Sequence, residues 1–225
     1  VWYRNSTVGR IDTKAIKIIL IIGAFFMVML ITNMIISKFL SNPDEEACAT
    51  KIRLYATLRD KSTNYIPTPW PSNCVMQRVD VKSKIKTNAQ REIADMMDSC
   101  WYMMGEGKIS PMSNKLFNAD NGCFECFNFH LTKLKETINK DDFNLYLAQL
   151  KKTSTLSYAQ YFKAEGTTYD SPYALTDMVS EKSYSVVYLD KDKEDLLSAN
   201  GFRFNDVADV IFIQETNKLG GQCLG

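Results

Sequence analysis

The longest apolar run of the chain lies near its N-terminus, where residues 18–37 carry no charged side chain. At about 1.5 Å per helical residue, this run is long enough to cross the hydrocarbon core of a bilayer, which is about 30 Å thick. A cleaved signal peptide has a shorter apolar region that ends at a small-residue cleavage site, and the residues after Ile35 offer no such site. The pattern therefore predicts a single transmembrane helix that stays in the mature protein.

The charged residues around this run predict its orientation. The run is preceded by Arg4, Arg10, Lys14 and Lys17, whereas the segment after Lys38 is acidic. Because cytoplasmic flanks carry the excess of lysine and arginine, the N-terminus is expected in the cytoplasm and the remainder outside, in a single-pass protein of the cell membrane. The expected division is a cytoplasmic stub at residues 1–17, a transmembrane helix at 18–37, a stalk and proline-rich linker at 38–71 and an extracytoplasmic domain at 72–225.

Helical spacing of apolar residues is strongest in the segment Ala89–Met104. Thr87 and Gln90 have the spacing of a capping box at its start, and Gly105 is placed for a left-handed cap at its end. An earlier helix is expected to begin near Pro43, because proline and acids favour the first turn. Two helices are therefore predicted before the middle of the chain.

The second half of the chain alternates between strand and helix patterns. Strands are predicted at Cys123–Leu134, Ser183–Asp190 and Val207–Gln214, and helices from Asp141 and over residues 156–165. The predicted fold class is α+β. It comprises an N-terminal transmembrane helix and a helical stalk, followed by a small disulfide-stapled domain of helices packed on a short sheet.

All six cysteines fall in the part of the chain that is expected outside the membrane. An even number of cysteines confined to an exported domain predicts disulfides, because that compartment is oxidising. The disulfide candidates are Cys48, Cys74, Cys100, Cys123, Cys126 and Cys223.

Cys123 and Cys126 form a C-x-x-C motif, for which three interpretations stay open. The two thiols can be a redox pair, or they can bind zinc with Cys100 and His130 as further ligands. They can also bridge to different cysteines and staple the fold. The strand-like alternation around the motif favours the staple, since a redox C-x-x-C normally opens a helix.

Two pairings are preferred over the other possible connectivities. Cys100 is expected to bridge either Cys123 or Cys126, because the end of its helix should lie beside the following strand. Cys48 is expected to pair with Cys223, because the chain ends of a domain often lie close together.

The run from Cys100 to Lys108 (CWYMMGEGK), together with the later C-x-x-C, resembles a group of uncharacterised archaeal single-pass membrane proteins. These proteins carry a CW-x-x-x-GEG run and a downstream C-x-x-C in their extracytoplasmic domain. The resemblance covers residues 90–131. It implies an extracytoplasmic domain at an archaeal cell surface that is held together through those cysteines, and it implies no known activity.

Composition narrows the range of functions. The chain has 27 Lys and Arg against 26 Asp and Glu, so a large nucleic-acid footprint is not expected. His130 is the only histidine, and its strand-like surroundings favour a structural role over nucleophilic catalysis. The Gly105–Lys108 run lacks the spacing of a phosphate-binding loop. We therefore predict no catalytic, cofactor-binding or metal-binding residue and no cofactor.

These observations favour a non-catalytic, membrane-anchored structural or interaction subunit of a larger membrane or cell-surface assembly. Its expected partners are the lipid bilayer and other protein subunits, copies of the same chain among them, but no nucleic acid. The alternative is a membrane-tethered thiol–disulfide oxidoreductase that uses Cys123 and Cys126. Aromatic residues serve as anchors in protein interfaces, and the alternative is that these residues fill the core. The interaction candidates are Trp70, Tyr158, Tyr161, Phe162, Tyr169 and Tyr173.

Overall fold

The structure is a computed structural model that describes residues 21–29, 43–61, 74–109, 123–163, 173–189, 209–219 and 223. The chain divides into two compact units, Val1–Pro43 and Asp44–Gly225. In the first unit, residues 21–29 form helix α1, and their side chains are exposed. Within the described ranges, no helix has both the length and the apolarity needed to cross a bilayer. Residues 18–20 and 30–37 of the predicted span lie outside these ranges, so the span stays a prediction.

The second unit contains four helices and four strands among its described residues. The helices are α2 (Pro43–Lys61), α3 (Lys86–Met103), α4 (Lys140–Gln149) and α5 (Tyr158–Tyr161). The strands are β1 (Gln77–Val81), β2 (Cys123–Leu131), β3 (Ser183–Leu189) and β4 (Val210–Glu215). A 3₁₀ turn, Thr216–Lys218, follows the last strand. The mixed α+β class predicted from the sequence is confirmed.

The four strands form one sheet in the order β1-β2-β3-β4. Strand β1 runs parallel to β2, with α3 in the connection between them, whereas β2, β3 and β4 are antiparallel neighbours. The predicted strands near β2, β3 and β4 are confirmed: β2 ends three residues before the predicted Leu134, and β4 continues one residue past the predicted Gln214. Strand β1 was not predicted, because its sequence QRVDV contains only two apolar residues.

A β-bulge in β2 decides which side chains face the helices. The register with β3 shifts between Glu125 and Phe127, so that Cys126 is the extra residue. Without the shift, Phe124 and Phe127 would point to opposite faces, because side chains alternate along a strand. With it, both pack in the main core.

The main core lies between the sheet and helix α3. Its largest fully buried side chain is that of Trp101, whose ring centroid lies 6.1 Å from that of Tyr188 in β3 and 6.4 Å from that of Phe162. Phe129 and Tyr184 stack across β2 and β3 at 5.6 Å. Burial of such aromatic side chains supplies most of the apolar area that stabilises a domain of this size.

The opposite face of the sheet is half apolar and half polar. A second core cluster contains Cys123, Val187, Leu189, Val210 and Phe212. Beside it, Glu125 accepts hydrogen bonds from Ser185 (2.5 Å) and from the side-chain amide of Asn128 (3.1 Å). Ser185 is fully buried, and its hydroxyl also lies 2.9 Å from that of Thr216. Ser185 is thus hydrogen-bonded on this face, whereas Oε1 of the buried Gln214, which lies opposite Ser185 on β4, has no hydrogen-bond partner among the described residues.

Helix α3 begins earlier than the sequence predicted. Its N-terminal cap is Ile85, which makes no side-chain capping bond, and Lys86 and Thr87 are already helical. The predicted capping box of Thr87 and Gln90 is wrong, because Gln90 is buried in the domain instead of reaching back to the helix end. A true capping box lies at α5, where Ser157 and Gln160 bond each other's backbone amides.

Helices α2 and α5 also differ from the predictions. Residues 38–71 were predicted as a stalk and linker apart from the domain, but α2 lies within them and buries Cys48 and Ile52 fully in the main core. The helix predicted over residues 156–165 is reduced to the single turn of α5, and residues 164 and 165 lie outside the described part of the chain.

Three disulfides join all six cysteines. They are Cys48–Cys74, Cys100–Cys126 and Cys123–Cys223, with Cα separations of 5.0, 5.6 and 4.9 Å. The preferred pairing of Cys100 with one cysteine of the C-x-x-C motif is confirmed. The preferred pairing of Cys48 with Cys223 is wrong: Cys48 in α2 lies beside Cys74 ahead of β1, whereas Cys223 packs with Cys123 on the second face of the sheet.

The closed loops predict different contributions of these disulfides to stability. Cys48–Cys74 spans 26 residues and Cys123–Cys223 spans 100, so the longer loop restricts the unfolded chain more. Replacing Cys123 and Cys223 by alanine should lower the free energy of unfolding by about 1 kcal/mol more than replacing Cys48 and Cys74, as measured by urea titration of the purified protein.

Peptide mapping without reductant should recover the three disulfides Cys48–Cys74, Cys100–Cys126 and Cys123–Cys223. A cross-linked Cys48–Cys223 or Cys123–Cys126 peptide would contradict the structure.

Candidate functional site

The C-x-x-C motif lies on β2 and does not form a dithiol centre. Cys123 and Cys126 are buried, and each is bonded to a different distant cysteine. This pairing agrees with the staple interpretation, and it leaves no thiol of the motif available for zinc. His130 lies on the same strand, with its Nδ1 3.2 Å from the hydroxyl of Ser183 and its Nε2 3.9 Å from a carboxylate oxygen of Glu181. Among the described residues, no group of three or more His, Cys, Asp or Glu side chains is placed to hold a metal ion.

The candidate site that does emerge is built around the turn that ends helix α3. The amide of Glu106 donates to the carbonyl of Trp101 (2.9 Å), and the amide of Gly105 donates to that of Tyr102 (3.1 Å). These two bonds define a Schellman motif, which satisfies carbonyls at a helix end. Gly105, Glu106 and Gly107 have φ angles of 88°, 59° and 68°, so the left-handed cap predicted at Gly105 is confirmed.

The turn places Glu106 among cationic and phenolic groups. One carboxylate oxygen of Glu106 accepts a hydrogen bond from the Tyr161 hydroxyl (3.0 Å), and the other accepts one from Lys108 Nζ (2.6 Å). Burial raises the pKa of Glu106, but the hydrogen bonds from Lys108 and Tyr161 outweigh it, and the net shift is downward. The same contacts hold the turn against α5, the helix that carries Tyr161.

A second tyrosine lies on the same side of α3. The hydroxyl of Tyr102 donates to a carboxylate oxygen of Glu46 at 2.7 Å, and the guanidinium of Arg53 lies 4.6 Å from the centre of the Tyr102 ring. Glu46 and Arg53 both belong to α2. The contact therefore combines a charge-assisted hydrogen bond with a cation–π interaction between α2 and α3.

A third tyrosine completes the arrangement. The ring of Tyr158 is buried, but its hydroxyl donates to Asp95 of α3 (3.1 Å). Arg91 pairs with the same carboxylate (3.3 Å) and lies 5.7 Å from the Tyr158 ring centre. Lys152 forms an ion pair with Asp98 and also lies within 5.7 Å of that ring centre.

We call these groups together the tyrosine surface. It consists of Tyr102, Tyr158 and Tyr161, the carboxylates Glu46, Asp95, Asp98 and Glu106, and the cations Arg53, Arg91, Lys108 and Lys152. Burial and neighbouring carboxylates raise the pKa of Tyr158 to about 12, and they also raise the pKa of Tyr161. Because both phenols stay protonated at physiological pH, they act as hydrogen-bond donors and not as bases.

The structure locates four of the six aromatic interaction candidates. Tyr158, Phe162 and Tyr173 are buried in the main core, whereas Tyr161 is half buried in the tyrosine surface. Trp70 and Tyr169 lie outside the described residues.

This surface also contains Tyr102, Arg53 and Arg91, which the sequence did not predict as functional residues. Tyr102 lies within the CWYMMGEGK run and could have been singled out there. The contribution of Arg53 depends on how α2 packs against α3, which no local pattern in the sequence indicates.

Comparison with known proteins finds no relative: no family model, curated protein or solved structure matches the chain. The resemblance to archaeal single-pass membrane proteins therefore stays a prediction.

Gly105→Ala tests the turn that positions the site. Gly105 has a φ of 88°, and an added Cβ would overlap the side chain of Ile109. We expect the free energy of unfolding to fall by about 1–2 kcal/mol or more, as measured by urea titration. Gly105→Asn adds the same Cβ but adopts left-handed conformations more readily, so it should lose less. Equal losses of stability in the two variants would show that the left-handed conformation of residue 105 contributes nothing to the effect of the substitution.

Glu106→Gln tests the carboxylate at the centre of the site. The lowered folded-state pKa of Glu106 gives stability that is present above the unfolded-state value and is lost as the pH falls through the folded-state value. At neutral pH, Gln should lower the free energy of unfolding by about 1–3 kcal/mol, because hydrogen bonds to a charged group are replaced by neutral ones. The difference from the wild type should shrink below about pH 4. A difference that is constant from pH 7 to pH 3 would contradict the assigned role.

Proposed function

We propose that the protein is a membrane-anchored, non-catalytic interaction subunit whose disulfide-stapled domain binds other proteins outside the cytoplasm. The observation that carries the proposal is the tyrosine surface, where Tyr102 and Tyr161 remain partly exposed, carboxylates accept hydrogen bonds from the tyrosines, and exposed arginines flank them. Tyrosine and arginine are enriched among the residues that dominate binding energy at protein interfaces. Their internal hydrogen bonds hold the side chains in place before a partner arrives, which lowers the entropy lost on binding.

The disulfides support the extracytoplasmic location. All six cysteines of the chain are paired, and such bonds persist in oxidising compartments. The apolar run at residues 18–37 and its basic N-terminal flank support an anchor with the N-terminus inside. The archaeal cell surface is the setting that the sequence resemblance favours.

The oxidoreductase alternative loses its main support. That activity requires two neighbouring thiols that form and break a disulfide with each other, with one of them accessible. Cys123 and Cys126 are buried and belong to separate disulfides.

Protease accessibility tests the topology. Protease added to intact cells should degrade residues 41–225 and leave a short membrane-bound fragment, because the domain is expected on the outer side of the bilayer. Disrupted cells treated in the same way provide the control for cleavage itself. Full protection of the chain in intact cells would contradict the proposed location.

Native mass measurement after mild detergent extraction tests the interaction function. The wild type should co-purify with other membrane proteins, and the double variant Arg53→Glu/Arg91→Glu should lose them, because both exposed cations flank the tyrosine surface. Lys135→Glu reverses an exposed charge elsewhere and should retain them. A wild type that is monomeric and reduces insulin disulfides would contradict the proposal.

A further inference from the structure

Strand β1 is at the end of the sheet and, among the described residues, it pairs only with β2. The other terminal strand, β4, is partly covered on its outer side, because Ile213 exchanges backbone hydrogen bonds with Tyr173 (2.7 Å) and Leu175 (3.0 Å). An edge strand presents backbone groups that can pair with another strand. The outer edge of β1 is therefore the place where the described sheet can be extended.

The side chains of β1 carry one positive and one negative charge on the same face. Arg78 and Asp80 are two residues apart, so both point away from the main core, and both are exposed. Val79 lies between them, points to the opposite face and packs against the main core while remaining partly exposed. Within the described part of the chain, neither Arg78 nor Asp80 has an ion-pair partner.

This order of charges is complementary to itself. If two copies of β1 run antiparallel about a twofold axis at Val79, residue 78 of each copy lies opposite residue 80 of the other. Both cross-strand pairs are then Arg78 with Asp80, and the two Val79 side chains meet at the axis. Charged edge strands resist pairing with most other strands, but opposite charges directly across an antiparallel pair are favourable.

We propose that β1 is a homodimerisation edge, through which two copies of the chain form a continuous eight-stranded sheet. The twofold arrangement is isologous, so the two copies bury the same surface and the assembly closes as a dimer. The inference rests on the proposed interaction function and names one partner for it, a second copy of this chain, at a surface separate from the tyrosine surface.

The exposed apolar residues near β1 agree with this arrangement. Val75 precedes the strand and is 60% exposed, and Ile85 follows it and is 59% exposed. Both residues lie just outside Gln77–Val81, one at each end of the strand, so pairing along β1 brings the second copy near exposed apolar surface at both ends.

Charge reversal tests the register on the full chain in detergent. Arg78→Asp gives two acids on each β1, and Asp80→Arg gives two cations, so each variant alone places like charges opposite each other. Each should raise the dissociation constant of the dimer by about tenfold, as measured by analytical ultracentrifugation. The exposed Lys151→Asp makes the same change of charge outside the strand and should leave the constant unchanged.

Two further samples make the test specific to the antiparallel pairing. The double variant Arg78→Asp/Asp80→Arg should recover the wild-type dissociation constant, because each acid again faces a cation. An equimolar mixture of the two single variants should form heterodimers more tightly than either forms homodimers. A monomeric wild type, a dimer insensitive to both reversals, or a mixture without heterodimers would overturn the proposal. Co-purification of other proteins that requires Arg53 and Arg91 would leave the proposed function standing in each of these cases.

Discussion

The contact between helix α3 and the sheet is the one on which the rest of the domain depends. Two neighbouring residues make it: Cys100 is bonded to Cys126 at the bulge of β2, and Trp101 fills the space between β3 and α5. The bulge is part of this contact, because it brings the aromatic residues before and after it to the same face of the sheet. A covalent bond and the largest buried side chain therefore fix the same point, and the helix end beyond it has a defined position.

The other two disulfides attach further segments of the chain, one on each face of the sheet. Cys48–Cys74 holds α2 to the chain just before β1, on the side of the main core, and Cys123–Cys223 holds the C-terminal segment to the second face of the sheet. Each face of a single four-stranded sheet thus has its own covalent attachment. For a domain with so few strands, such bonds compensate for a limited hydrophobic core by restricting the unfolded chain.

The elements with a strong local pattern could be predicted from the sequence, and those that depend on distant contacts could not. Helix α3 was found by its apolar periodicity, and β3 and β4 by their β-branched residues. Strand β1 was missed because an exposed edge strand needs few apolar residues. The pairing of Cys223 with Cys123 was missed because it depends on the return of the chain across the sheet. The tyrosine surface was missed for a similar reason, since its members come from helices α2, α3 and α5, the turn after α3 and the connection between α4 and α5.

The sequence Gly-Glu-Gly shows how the fold and the candidate site are linked. Three consecutive residues with positive φ are costly for side chains other than glycine, and two of these three are glycine. Glu106 alone carries a side chain in this turn, and its carboxylate binds both Tyr161 and Lys108. A third glycine would relieve the backbone but would remove the group that joins the end of α3 to α5. Glu106 has the smallest of the three positive φ angles, 59°, so the side chain that joins α3 to α5 stands within the left-handed region that non-glycine residues can adopt.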